Sequence, residues 1–135
     1  MEVTSEEEGH GGMELLEVGP QARGWMAAKY CFYPQTIILG LESRTTVEKL
    51  QIMGNPWAVP TKVIISQLVG LSTFLQIEIW IGDVPKGQEV DIKKAYFMKL
   101  GEVTMESNKD NDYNARQLQS IEVTKHVLFC LVQVR

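Results

Sequence analysis

At 135 residues the chain is long enough to bury one apolar core and too short for two, and 44% apolar with 22% charged residues is the balance of a globular domain. A net charge of −4 sets nucleic acid aside as the main partner, because phosphate binding needs a concentrated excess of Lys and Arg. No apolar run approaches the roughly 20 residues of a membrane helix, and the acidic opening, with Glu2, Glu6, Glu7 and Glu8, does not read as a secretion signal; no membrane insertion is expected.

Taken in chain order, residues 1–12 read as a flexible N-terminal segment in which Gly9-His10-Gly11-Gly12 is a turn, and residues 13–135 read as a single domain. Short pieces with a two-residue apolar period predict strands at 14–18, 36–41, 47–53, 62–68, 74–81, 97–105, 118–123 and 127–134. Eight such strands predict an all-β protein, a two-sheet antiparallel β-sandwich. In 75–81 the odd positions are apolar and Gln76 and Glu78 face the other way, the pattern of a strand with one wet face. In 127–134 the apolar run is almost unbroken, the pattern of a central strand buried on both faces. The expected core contains Leu39, Leu50, Ile52, Ile79 and Leu131.

Turn chemistry falls between these pieces: Gly54, Pro56 and Pro60 after the third, Gly82 to Gly87 after the fifth, and a polar loop over 107–114. Helix signals are scarce. Residues 90–99 can hold one or two helical turns, with Asp91 near a cap and Ile92, Ala95, Tyr96 and Met98 inward.

The residues that usually carry chemistry are dispersed. Cys31 and Cys130 each sit inside an apolar segment and read as core thiols of a reducing, cytosolic compartment. His10 and His126 lie far from each other and from both cysteines, so no zinc-ligand spacing occurs. There is no GxSxG, no glycine-rich phosphate loop and no histidine beside a nucleophile motif; the chain reads as a non-enzyme without cofactor or metal. Glu6, Glu7, Glu8, Glu106, Asp110 and Asp112 offer oxygens to calcium, but no D-x-D-x-D-G ladder joins them and such runs are usually solvated surface.

Several motifs together resemble the N-terminal jelly-roll domain of the 104-kilodalton centrosomal protein family. They are Gly24-Trp25, KYCFYPQTIIL at 29–39, VEKLQI at 47–52, LGEV at 100–103 and NARQLQSIEV at 114–123; residues 5–15, with Gly9-His10, are similar to the family's opening loop. The aromatic-Pro-Gln corner is also similar to that of the calcium-binding small subunit of the intraflagellar-transport complex, and the Ala-Arg-x-Leu-x-Ser segment favours the centrosomal family. The resemblance implies a galactose-binding-like jelly roll and a place at the ciliary tip, centriole or centrosome, in the cytoplasm and cytoskeleton, with protein partners in a microtubule assembly. Against the family pattern, 56–72 reads as an insertion, and residues 1–135 do not include the family's closing strand, tubulin-binding TOG domain or zinc fingers.

Candidate partner-binding residues are therefore Trp57, stiffened between Pro56 and Pro60 as an exposed aromatic anchor, and Asp110, Asp112 and Arg116 in the second polar loop. Arg116 has a bland alternative, bracing its own loop through carbonyls. Trp25 and the Tyr33-Pro34-Gln35 corner read either as core or as the rim of a ligand site. The function expected is a non-catalytic protein-interaction module; the alternative is a carbohydrate- or calcium-binding β-sandwich module.

Overall fold

The computed structural model describes residues 1–17, 19–54, 74–87, 89–106, 112, 114 and 116–135. Five strands appear among them: β1 (Glu2–Val3), β2 (Gln35–Met53), β3 (Phe74–Asp83), β4 (Tyr96–Glu106) and β5 (Leu118–Val134), with single 3-10 turns at Gly12–Leu16 and Ile92–Lys94. They form one sheet in the order β1-β2-β5-β3-β4, and every pairing is antiparallel. Among the described residues the fold is all-β with almost no helix.

β5 is central because its second half can be buried on both faces. Val127, Cys130 and Val132 face the larger core with Ile37, Ile77, Ile79, Ile81, Met105 and Val123, while Leu128 and Phe129 join Val84 on the other side under Ile92, Ala95 and Phe97. This agrees with the unbroken apolar run.

β2 and β5 are long because each carries two of the expected strands. The intervening 42–46 and 124–126 read as gaps in sequence, yet they stay in strand conformation as an exposed, twisted ribbon. Its ladder slips between Gly40 and Thr45 and again between Val47 and Lys49, and Thr124 takes φ 45°; bulges of this kind bend a strand and increase its twist. Past the slips the ribbon returns over the core, so that Leu50, Ile52 and Ile121 pack against Ile37, Ile79, Met105 and Val132.

Several expectations need correction. Residues 14–17 of the strand expected at 14–18 are not in strand conformation: Gly12–Leu16 is a 3-10 turn with Leu15 and Leu16 exposed. Eight expected strands become five among the described residues: two mergers, the loss of the strand expected from Glu14 and the placement of 62–68 outside those residues leave four, and the unexpected β1 makes the fifth. Ile79 is fully buried and Leu39, Leu50 and Ile52 are half-buried against the core, but Leu131 is only half-buried and stands opposite Trp80 and Ile38. In the 90–99 stretch Asp91 does cap the short turn, its Oδ1 accepting from Lys93 N at 2.9 Å. Tyr96 and Met98 are exposed there, because they stand on β4, which lies at the sheet's edge.

Residues 1–12 are joined to the sheet at several points. β1 pairs with Ile37 and Ile38, Val3 packs on the core, and Glu6 Oε2 accepts from Gly12 N at 2.9 Å. Gly9 makes the turn at φ 76°, a conformation that favours glycine.

Candidate partner surface

One end of the sheet gathers most of the loops. Gln35 pairs with Val134, Val134 with Ile77, and Phe74 with Glu106, so the loop before β2, the start of β3 and the end of β4 share that end. The returning ribbon adds two more: Gly54 N donates to Gln117 O at 2.9 Å, a Cβ built on Gly54 would stand 3.3 Å from Met105 Sδ, and Gln119 Nε2 reaches Thr104 O at 3.4 Å. Every loop carrying an expected binding residue therefore leaves the sheet beside the others.

Of those residues, Trp57 and Asp110 lie outside the described residues. Asp112 is an exposed turn residue with φ 50°, a left-handed conformation that Asp tolerates better than most side chains. Arg116 is exposed two positions before β5. The structure thus brings the loops together without a direct contact between the expected residues among those described.

In the loop before β2, sequence reasoning offered Trp25 and the Tyr33-Pro34-Gln35 corner and missed Tyr30 and Phe32. Tyr30 is 88% and Phe32 92% exposed, although the apolar run around them read as buried; their presentation depends on partners distant in sequence. Gln35, only 2% exposed, donates through Nε2 to Phe32 O and accepts through Oε1 from Ser5 Oγ at 2.5 Å. Ser5 Oγ in turn accepts from Ala28 N at 3.2 Å, Trp25 Nε1 donates to Ser5 O at 2.9 Å, and Glu7 Oε2 accepts from Lys29 N at 3.0 Å. The ends of the loop are braced, and the Tyr30 and Phe32 rings are displayed, with Tyr33 also exposed. Lys29 Nζ lies 5.3 Å from the Tyr30 ring centroid, a cation–π distance. Trp25 packs against the core, its structural role rather than a rim role.

The charged groups are mostly structural. Glu78, expected on a wet face, is 5% exposed; Lys99 Nζ donates to its Oε1 at 2.9 Å and Arg135 Nη2 stands 3.0 Å from its Oε2, at ion-pair distance without hydrogen-bond alignment. The Lys99 hydrogen bond holds the Glu78 carboxyl below its ordinary pKa against the opposing effect of burial. Cys31 and Cys130 are free thiols. Cys31 is half-buried, less enclosed than expected, and burial pushes the Cys130 pKa up, which suits an inert core thiol. Thr46 Oγ1 lies 2.9 Å from His126 Nε2, a cross-strand pair on the exposed ribbon with no orienting carboxylate among the described contacts. No group of three or more His, Cys, Asp or Glu side chains suited to a metal occurs among the described residues.

This arrangement defines a small β-sheet domain with a loop-gathering end and no assembled catalytic constellation among the described residues. Residues 24–135 match the family model described as Centrosomal protein CEP104, N-terminal domain, and the chain belongs to that family. It is 28% identical over 117 residues to Centrosomal protein of 104 kDa from Mus musculus and 26% identical to that from Homo sapiens, in each case over 87% of this chain and 11% of the relative. The chain thus spans about a tenth of the length of the curated relatives it matches. A chain in the X-ray crystal structure of reduced XRCC1 bound to the DNA pol beta catalytic domain superposes with a TM-score of 0.61 over 98% of this chain and 80% of that one. At 15% identity that likeness speaks for the fold alone.

Proposed function

We propose that the chain is a non-catalytic protein-interaction module of a ciliary or centrosomal microtubule-associated protein or assembly, working in the cytoplasm at the cytoskeleton. Membership of the centrosomal family supports the location. The observation that carries the interaction role is the display of Tyr30 and Phe32, 88% and 92% exposed, on a loop braced by Gln35 and Ser5. Large aromatics held in place lose little entropy on docking and are favoured binding anchors. Asp110, Asp112 and Arg116, with Trp57 on the adjoining loop, supply the polar rim and a further anchor in this reading. The ribbon folded back over its own core supports a jelly-roll, galactose-binding-like architecture, in which loops at one end of a sandwich form the binding surface.

Expression of the tagged chain in ciliated cells tests this. The wild-type chain is expected to concentrate at the centrosome or cilium and to retain specific partners from ciliary extract. Tyr30→Ser with Phe32→Ser is expected to lose both at unchanged Tm. Uniform cytoplasmic distribution of the wild type would remove the location, and undiminished partner retention by the double variant would remove the aromatic surface.

A further inference from the structure

Away from the loop-gathering end, two shallow clefts lie along β2. The first, about 350 Å³, has an apolar floor of Ile38, Ile92 and Phe129 and a rim carrying Glu2, Glu89 and Asp91. The second, about 240 Å³, lies alongside Ser43, Arg44 and Lys86. Val90 lines both and is 58% exposed, so the clefts form one groove divided by an uncovered apolar side chain. From position 38 to 44 it runs on the order of 20 Å, the span of an extended segment of six or seven residues.

We propose that this groove docks an extended segment of a protein partner, with apolar side chains either side of Val90 and a lysine or arginine over the acidic rim. This deepens the interaction-module reading and rests on it, with a surface separate from the aromatic loop. The charge pattern selects the occupant. Among the described residues Glu2 has no ion pair, and Glu89, its side chain 86% exposed, has one at 3.9 Å to Lys94. Arg44, in the second cleft, is already held by Asp83 at 2.6 Å, so it does not neutralise the rim. The rim and the net charge of −4 oppose docking of a second copy and favour a basic partner. The floor is open because position 40 is glycine: a Cβ there would have the Phe129 ring as its nearest neighbour at 3.6 Å, an ordinary contact. A longer side chain at that position would enter the groove without straining the sheet.

The test uses two synthetic heptapeptides, one of alternating lysine and valine and one with glutamate in place of lysine, titrated into ¹⁵N-labelled protein. The lysine peptide is expected to shift the amides of Gly40, Val90 and Phe129 and to bind at least about tenfold more tightly than the glutamate peptide, the discrimination expected of charge complementarity. The Glu2→Lys, Glu89→Lys double variant is expected to reverse that preference. Gly40→Leu, or Val90→Lys at an already exposed position should Gly40→Leu fail to fold, is expected to weaken lysine-peptide binding by about tenfold or more. Equal response to both peptides, shifts confined elsewhere, or no response at millimolar peptide would overturn the proposal. A concentration-dependent dimer abolished by Gly40→Leu would also overturn it by assigning the groove to a second copy. These outcomes are independent of Tyr30 and Phe32, so the groove and the aromatic surface stand or fall separately.

Discussion

Arg44 and Asp83, 39 positions apart, are joined side chain to side chain across the bend of the β2–β5 ribbon. Arg44 Nη2 lies 2.6 Å from Asp83 Oδ1, and Nε lies 3.1 and 3.0 Å from the two carboxylate oxygens; Nη2 also donates to Val84 O at 3.1 Å. Arg44 falls where the β2–β5 ladder lapses between Gly40 and Thr45, so the guanidinium ties the unpaired stretch to the end of β3. Its planar fork matches a carboxylate in a way lysine cannot. Arg44→Lys is therefore expected to lower Tm although it keeps the charge, and Arg44→Ala to lower it further. Equal Tm values for wild type and Arg44→Lys would show that the fork does not hold the bend.

The Lys99–Glu78 contact gives the fold a defined acid sensitivity. Hydrogen bonding to Lys99 lowers the pKa values of Glu78 and Glu102 from 4.5, and hydrogen bonding to Arg44 lowers that of Asp83 from 3.8. A carboxyl depressed in the folded state contributes stability that is fully present above its unfolded pKa and is lost as pH falls through the folded value. Stability should hold down to about pH 5 and decline below the ordinary carboxylate range. Lys99 is raised from 10.5, with the Glu102 hydrogen bond its leading cause; its contribution is complete below that value and disappears as pH rises through the folded one. Glu78→Gln should flatten the acid limb of a urea-unfolding pH profile, and an acid limb of unchanged steepness would assign the sensitivity elsewhere.

The strands were legible where alternation was local and illegible where tertiary partners set the outcome. TIIL at 36–39 and IEIWI at 77–81 announce themselves by apolar and β-branched content. The polar run at 42–46 reads as a gap because nothing local says that Arg44 will grip Asp83. Glu78 reads as wet because Lys99 and Arg135, which make its burial tolerable, lie 21 and 57 positions away. Leu15 and Leu16 suggest a strand by composition, but a 3-10 turn exposes them. Of the candidate surface, the exposed positions of Asp112 and Arg116 followed from the polar residues around them, whereas the exposure of Tyr30 and Phe32 depends on a brace from Ser5.

Gly82 shows the close packing of β3 against β4. A Cβ built there would meet the Phe97 ring at 2.6 Å, and that ring is itself packed against Phe129 with centroids 6.2 Å apart. Gly82→Ala should destabilise the domain by about 1–3 kcal/mol, the usual cost of overpacking, measured by urea unfolding at constant m. Phe97→Leu should recover part of that loss in the double variant. A neutral Gly82→Ala would mean that the ring moves aside without cost.

Gln35 links stability to the displayed aromatics. It is nearly inaccessible, and its amide is shared between Phe32 O and Ser5 Oγ, so it joins the N-terminal arm, the aromatic loop and the first residue of β2. Removing the amide leaves buried polar atoms without their partners, a penalty of about 1–3 kcal/mol. Gln35→Ala should therefore lower stability by that order and speed hydrogen exchange in residues 28–34 above the rest of the sheet. Because Tyr30 and Phe32 remain, any accompanying loss of partner affinity would measure the value of holding them in place. Ser5→Ala removes one arm of the same network and should move exchange and affinity in the same direction by less. If Gln35→Ala lowers Tm but leaves both exchange in 28–34 and partner affinity at wild-type levels, the glutamine supports the sheet alone and the aromatic loop is ordered by something else.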